Sequence, residues 1–229
     1  MGNVLLAEDL LLLVTDDASG RLLAPAAQVD AGLGGANLAE LTLLNKVDLS
    51  VEGKAGKAGR IVVRDPSPAG DEVLDAALEL LIAHQGSKPS AVIRPLSKNL
   101  RPRLYERLAA SGVVRAGQGR ILGIFPTHTW PAEDAHHEAQ VRQLLTQVLV
   151  QQQAPDARSA ALIALVHALR CEHQIVDPRP YGLSKRQLGA RAEEIAKGNW
   201  ASEAVRNAIT EIIAAVAATT AAATAAGGG

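Results

Sequence analysis

The sequence predicts a mainly α-helical single domain that carries two small β-hairpins. Apolar residues recur at helical spacing through most of the chain, whereas alternation of apolar and polar residues is confined to two short stretches around glycines. Helices and strands do not alternate in the way that builds a parallel sheet, which argues against a dinucleotide-binding fold. At 229 residues, 48% of them hydrophobic, the chain is long enough for one full core.

The first two predicted helices are strongly apolar. The stretch "VLLAEDLLLLV", residues 4–14, predicts a buried helix with Glu8 and Asp9 on one edge, and "TDDASG" ends it as a turn. The stretch "VDAGLGGANLAELTLLNKV", residues 29–47, also has helical spacing. Its glycines, at positions 32, 34 and 35, weaken a helix, so we expect another backbone to pack closely against them.

A β-hairpin and a capped helix follow. The stretch "VDLSVEGKAGKAGRIVV" alternates on both sides of a turn that we place between Glu52 and Gly59. Asp71 is a good N-cap for the helix "DEVLDAALELLIAHQG", and Gly86 ends that helix.

The second half of the chain contains one more hairpin and five more helices. We expect a helix that begins at Pro102, because a proline in the first turn loses no hydrogen bond, with Gly112 just past its end. The second hairpin pairs "GVVRAG" with "RILGIF" around a turn at residues 117–119. The remaining helices are expected at about 136–153, 156–169 and 184–197 and from near Trp200 onward.

Residues 1–218 are expected to form one domain and residues 219–229 a flexible Ala/Thr/Gly tail. The single cysteine, Cys171, cannot form an internal disulfide, which favours a reducing, cytoplasmic compartment. The apolar N-terminus is interrupted by Glu8 and Asp9 and lacks a basic flank, so it does not resemble a signal peptide.

The motifs that would indicate an enzyme or a cofactor site are weak. "GKAGKAG" lacks the Ser or Thr that a phosphate-binding loop requires after its lysine. "AEDAHHEAQ" has no pair of histidines four residues apart for a shared metal ion. His167 is interpreted as a core histidine with one hydrogen bond, and Cys171 as a buried thiol. We therefore expect a non-enzymatic protein without a cofactor.

The distribution of charge is the most informative feature of the chain. The formal net charge is -1, yet residues 88–120 contain eight basic residues and only one acidic residue, Glu106. If Pro102 begins a helix, Lys98 and Arg101 lie at its start, where free backbone N–H groups already attract anions. Arg103 and Arg107, one turn apart, would extend this positive face. A solvated helix face, a phosphate-bearing ligand and nucleic acid are all compatible with this pattern.

Several stretches, in this order, resemble the Golgi phosphoprotein 3 family. They include "LLAEDLLLLVTDDASGRL", "GLGGANLAELTLLNKVDL", "LSKNLRPRLYERLAASGVV" and "RILGIFPTHTWP", and together the matching stretches cover most of residues 4–216. The resemblance implies a helical core ringed by amphipathic helices, with a β-hairpin that approaches the bilayer. The Ala-rich composition with few aromatics resembles an actinobacterial member of that family.

The resemblance also implies a lipid site. Family members with a known role read phosphatidylinositol 4-phosphate in a basic pocket beside a tryptophan and act as adaptors for client membrane proteins. Two basic pocket residues match Lys98 and Arg101, whereas the tryptophan position matches Pro25 and a third basic position matches Gly34. Half of the family pocket is therefore absent from this chain.

From this we expect a cytoplasmic, peripheral membrane protein that binds anionic phospholipid, either phosphatidylinositol or its 4-phosphate. Lys98 and Arg101 would bind the headgroup with help from Arg94 and Arg103. The second hairpin would supply the apolar contact through Ile121, Leu122, Ile124 and Phe125. The alternatives are a protein-interaction scaffold or homo-oligomer and a nucleic-acid-binding domain. The low aromatic content, 2% of the chain, makes nucleic acid the weakest of these.

Overall fold

The computed structural model describes residues 4–50, 58–115, 117–121, 125–131, 133–198 and 203–226. This part of the chain is mainly helical with two antiparallel strand pairs, which confirms the predicted fold class. The helices are α1 (Leu6–Leu13), α2 (Ala26–Leu43), α3 (Glu72–Ala83), α4 (Pro89–Ser97), α5 (Leu100–Ala110), α6 (His136–Leu149), α7 (Ala157–Ala168), α8 (Glu172–Ile175), α9 (Lys185–Lys197) and α10 (Glu203–Ala226). The strands are β1 (Val47–Leu49), β2 (Ile61–Val63), β3 (Gly117–Ile121) and β4 (Phe125–Thr129).

Helix α2 forms the centre of the core. It contacts α1, α4, α7 and α10, and every residue from 31 to 42 is buried. A helix that is apolar on all sides belongs inside a protein rather than at its surface. The outer helices differ: α3 buries one face and α9 buries only Leu188 and Ala192. The arrangement matches the expected helical core with amphipathic helices around it.

The glycines of α2 are contact points for other helices. A Cβ atom at Gly34 would lie 2.6 Å from the carbonyl oxygen of Ile93 in α4. A Cβ atom at Gly35 would collide with Val216 of α10. Because real Cβ contacts are longer than this, α4 and α10 can approach α2 so closely only where the side chain is a hydrogen atom. The expected close approach of another backbone is confirmed at Gly34, whereas Gly35 and Gly32 are packed against side chains.

The two acidic residues of α1 are buried within a network of arginines. Glu8 and Asp9 are each 5% exposed. Arg107 of α5 donates to Glu8 at 3.0 Å, and Arg158 of α7 donates to Asp9 at 2.8 Å and to Glu40 of α2 at 2.5 Å. Loss of one partner would leave a buried charge without compensation, which is costly. These ion pairs therefore hold α1, α2, α5 and α7 in a fixed arrangement.

Most predicted helices and turns are confirmed. Asp71 caps α3 by accepting hydrogen bonds from the backbone N–H groups of Val73 and Leu74. The first hairpin pairs β1 with β2, and its predicted turn lies mostly outside the described residues. Cys171 is buried, and burial raises the pKa of its thiol to about 11, so it is protonated at neutral pH. In the described part of the chain no cluster of residues suited to a metal ion is found.

Four sequence predictions need correction. Helix α4 was not predicted, because Pro95 lies inside it. Helix α5 begins at Leu100 rather than Pro102. The second hairpin is displaced: residues 117–119 belong to β3, and β3 pairs with β4. Helix α10 continues to Ala226, so residues 219–226, expected to be a tail, are helical.

We predict that Gly34→Ala destabilises the protein by about 1–3 kcal/mol, because the added methyl group would push against the backbone of α4. The matched control is Gly32→Ala. There the new Cβ atom meets the ends of two leucine side chains, Leu169 at 3.0 Å and Leu10 at 3.4 Å, which can shift more easily than a backbone. Urea denaturation of both variants measures the difference. Equal stabilities would show that the α2–α4 contact is not tight.

Candidate functional site

Four predicted basic residues lie where α4 meets α5, a place that we call the α4–α5 junction: Arg94, Lys98, Arg101 and Arg103. Arg94 is in the last turn of α4 and Lys98 is the residue just after it. Asn99 adopts a left-handed conformation, φ 56°, and turns the chain directly into α5. Arg101 and Arg103 then lie in the first turn of α5. The short connection keeps the four residues close along the chain, but Arg101 and Arg103 lie on opposite sides of α5, because residues two apart in a helix do not share a face.

The four side chains differ in their availability. Arg94 and Lys98 are exposed, and neither has a side-chain partner within the described residues. Arg101 is 30% exposed and donates through Nε to Asp30 at 2.8 Å. Arg103 lies 3.9 Å from the exposed Glu72, a weak contact. The junction therefore has two unpaired cations, one cation held by a single carboxylate and one weakly paired cation.

Arg107 does not belong to this positive surface, which corrects the sequence interpretation. Its guanidinium group donates to Glu8 and, at 2.8 Å, to Asp71. Burial favours loss of its proton, but these two carboxylates outweigh that effect and raise the pKa of Arg107. Leu104 and Leu108, predicted to face inward, are buried. Arg107 is a structural cation that joins α5 to α1 and to the start of α3.

Two uncapped helix N-termini lie beside the junction. No side chain caps α5 at Asn99, and none caps α2 at Pro25. The ion pair between Arg101 and Asp30 joins the first turn of α5 to the second turn of α2. The partial positive charge of a helix N-terminus disfavours a cation such as Arg101 and favours an anion. A bound anionic group would therefore interact favourably with both the dipole and the arginine.

Tyr105 and Trp130 attach α5 to the end of the second hairpin. Their rings stack with centroids 4.9 Å apart and an angle of 5° between the planes. The Tyr105 hydroxyl is 2.8 Å from the Thr15 hydroxyl, which donates to the carbonyl of Leu11. Burial raises the pKa of Tyr105 despite that hydrogen bond, so the phenol is neutral. The stack fixes the orientation of α5 relative to β4 and α1.

The predicted hairpin contact residues are only partly described. Ile121 ends β3, Phe125 begins β4, and their backbones are paired in the register of the two strands. Leu122 and Ile124 lie outside the described residues. Ile121 and Phe125 are thus paired across two strands, whereas the sequence analysis had placed all four residues in the second strand.

The comparisons with known proteins now bear on this geometry. The family model of Golgi phosphoprotein 3 (GPP34) matches residues 6–212, which is most of the chain. The chain belongs to the Golgi phosphoprotein 3 family. No curated protein matches it. The matched range includes α1 to α9, the α4–α5 junction, both strand pairs and part of α10.

The two positions at which this member departs from the family pocket have different surroundings. Pro25 is exposed at the start of α2. Gly34 is buried against α4, where the Cβ of any other residue would meet the Ile93 carbonyl. Here a basic side chain at position 34 is incompatible with the observed packing of α2 on α4.

Sequence reasoning missed Asp30 and the Tyr105–Trp130 stack. Asp30 precedes Arg101 by 71 residues, and nothing in the local sequence indicates that they meet. The sequence does contain evidence for helix α4, because Pro89 suits a first helical position and Val92, Ile93 and Leu96 have helical spacing.

We predict that Tyr105→Phe lowers the free energy of unfolding by about 1 kcal/mol, the usual value of one hydrogen bond, while the stack on Trp130 remains. Tyr105→Leu should cost at least about 1 kcal/mol more, because it also removes the aromatic contact. Thermal or urea unfolding followed by circular dichroism measures both variants. If the two substitutions cost the same, the stack contributes nothing to stability.

Proposed function

We propose that this protein is a non-enzymatic, peripheral membrane protein that binds anionic phospholipid headgroups at the α4–α5 junction. The observation that carries the proposal is the presence of two exposed cations, Arg94 and Lys98, that have no side-chain partner among the described residues and lie beside the uncapped start of α5. Membership in the Golgi phosphoprotein 3 family supports a role in lipid binding or as an adaptor. None of the described helices combines the length and apolar character needed to span a bilayer.

Lys98 and Arg101 are the proposed headgroup ligands. Only Nε of Arg101 is bonded within the described residues, so its terminal nitrogens are available to phosphate oxygens. Lys98 would act as a point charge on a flexible stem. Arg94 and Arg103 would add long-range attraction. At roughly 1 kcal/mol per basic residue near an anionic surface, four such residues provide about 4 kcal/mol, which allows reversible attachment.

The β3–β4 hairpin is proposed to provide a second, apolar contact through Ile121, Leu122, Ile124 and Phe125. The Tyr105–Trp130 stack joins the end of this hairpin to α5. The headgroup site and the apolar contact would thus be held together by one rigid connection. Membrane attachment generally requires two weak signals of this kind. Because Pro25 and Gly34 replace half of the family pocket, we expect weaker discrimination between phosphatidylinositol and its 4-phosphate.

We predict that Lys98→Gln/Arg101→Gln reduces binding to anionic vesicles about thirtyfold, which corresponds to two charges at roughly 1 kcal/mol each. The assay is sedimentation with vesicles of phosphatidylcholine alone, or with added phosphatidylinositol or its 4-phosphate, at two salt concentrations. Glutamine is chosen because a glutamate at position 101 would lie beside Asp30, and repulsion between the two carboxylates could disturb the fold. Higher salt should weaken the binding of the parent protein.

The matched control is Lys185→Gln/Arg186→Gln, which removes two exposed charges at the start of α9 and should bind nearly as the parent does. If both double variants bind equally, net charge rather than the α4–α5 junction determines binding. If the parent binds no anionic vesicle, the lipid proposal is wrong and a role as a protein-interaction scaffold becomes the better explanation.

We also predict that Asp30→Asn strengthens binding to anionic vesicles about fivefold, because it removes one negative charge beside Arg101. Asp30 is only half-buried, so urea denaturation should show an unchanged free energy of unfolding for Asp30→Asn. That result would establish that the effect on binding is local to Arg101. Weaker binding would instead show that Asp30 must hold Arg101 in position.

A further inference from the structure

A second candidate site lies between α7, α9 and α10, and it shares no lining residue with the α4–α5 junction. It is a cavity of about 310 Å³. Its apolar wall is formed by small and aliphatic residues of the three helices: Ala164, Ala168, Ile209, Ile213, Ala214 and Ala217. This volume is at the lower end of the range for small-molecule sites. If each non-hydrogen atom needs roughly the volume of one water molecule, the cavity holds about ten such atoms.

The rim of this cavity carries more positive than negative charge. Arg170, Lys197 and Glu193 all line it. Lys197 bonds Glu193 at 2.7 Å, whereas the exposed Arg170 has no side-chain partner among the described residues. Arg170 also has a left-handed backbone, φ 59°, at the end of α7. Among these three side chains one net positive charge remains, that of Arg170. The buried carboxylate of Glu172 behind His167 is a negative charge set back from the rim.

A histidine also lines the cavity and is held from behind by a buried carboxylate. The Nδ1 atom of His167 is fully buried and lies 3.4 Å from Oε1 of Glu172, longer than a normal hydrogen bond. The His167 side chain as a whole is 23% exposed. Since Nδ1 is buried, this exposure belongs to the other atoms of the side chain. The sequence analysis expected a core histidine with one full hydrogen bond, and the structure corrects this.

Glu172 is an ionised partner for that histidine. Its burial would favour the neutral acid, but the nearby His167 and its own backbone N–H outweigh burial and lower the pKa of Glu172. Its second oxygen has no hydrogen-bond partner among the described residues. A carboxylate beside one ring nitrogen orients an imidazole so that the opposite edge of the ring can face a ligand.

We infer that this cavity binds a small, single-chain anionic amphiphile, a medium-chain carboxylate, with its chain against the apolar wall and its head at Arg170 and His167. The positive charge of Arg170 matches a headgroup that carries one negative charge. The planar guanidinium group is suited to bind both oxygens of a carboxylate. The wall supplies no polar side chain for a larger polar ligand, apart from Thr210 at the opening. This inference does not depend on the proposed lipid function of the α4–α5 junction.

The test is isothermal titration of the full chain with sodium octanoate, which has about ten non-hydrogen atoms. Octyltrimethylammonium, of equal chain length and opposite charge, is the control ligand. We expect saturable binding of octanoate at one site and at least tenfold weaker binding of the cation. Absence of saturable octanoate binding, or equal binding of the two ligands, would overturn the inference.

Two variants locate the binding site. Ala217→Phe places a ring in the cavity from an exposed position of α10 and should abolish octanoate binding. Arg170→Asn keeps a residue that tolerates the left-handed backbone and should weaken binding about tenfold, the effect of losing one charge-assisted contact. Arg186→Asn, at the far end of α9, is the matched control and should bind as the parent does. Full binding by a folded Ala217→Phe or Arg170→Asn protein, verified by circular dichroism, would show that octanoate binds elsewhere.

Discussion

The rest of the structure depends on the glycines of α2, whose lack of a side chain lets other helices pack against its backbone. Gly34 and Gly35 let α4 and α10 approach the backbone of this buried helix, and Gly32 adjoins Leu169 just beyond α7. Such contacts are short and tightly packed, so they tolerate little change in volume. They also determine where α4 ends, and therefore where Lys98, Asn99 and Arg101 lie. The position of the candidate lipid site is thus a consequence of core packing.

The same packing restricts which residue can occupy position 34. A basic residue at position 34 and the close contact between α2 and Ile93 exclude each other. With that cation absent, Asp30 is the acidic partner of Arg101, and Arg94 and Lys98 remain exposed. The positive charge at the junction therefore comes from α4, α5 and the residue between them, and α2 contributes the negative charge of Asp30.

Buried charge has a different role from exposed charge in this protein. Arg107 and Arg158 neutralise the carboxylates of α1 and α2 and join helices that are distant in the sequence. Arg94, Lys98 and Arg170 have no side-chain partner in the described part of the chain and are candidates for ligand contact. Composition cannot separate these two groups, because the difference depends on whether a carboxylate lies within a few ångströms in the folded chain.

The sequence by itself determined the fold class, most helices, the cap at Asp71 and the family, because these depend on local spacing, capping chemistry and the order of motifs. It also identified the basic segment and, within it, the two residues that we propose as headgroup ligands, Lys98 and Arg101. Only the tertiary structure separated Arg107 from that surface, paired Arg101 with Asp30 and placed His167 beside Glu172 at a cavity. Each of these facts is a contact between residues far apart in the chain or on different helices. Their geometry is fixed by how the helices pack, and periodicity along a single helix carries no information about it.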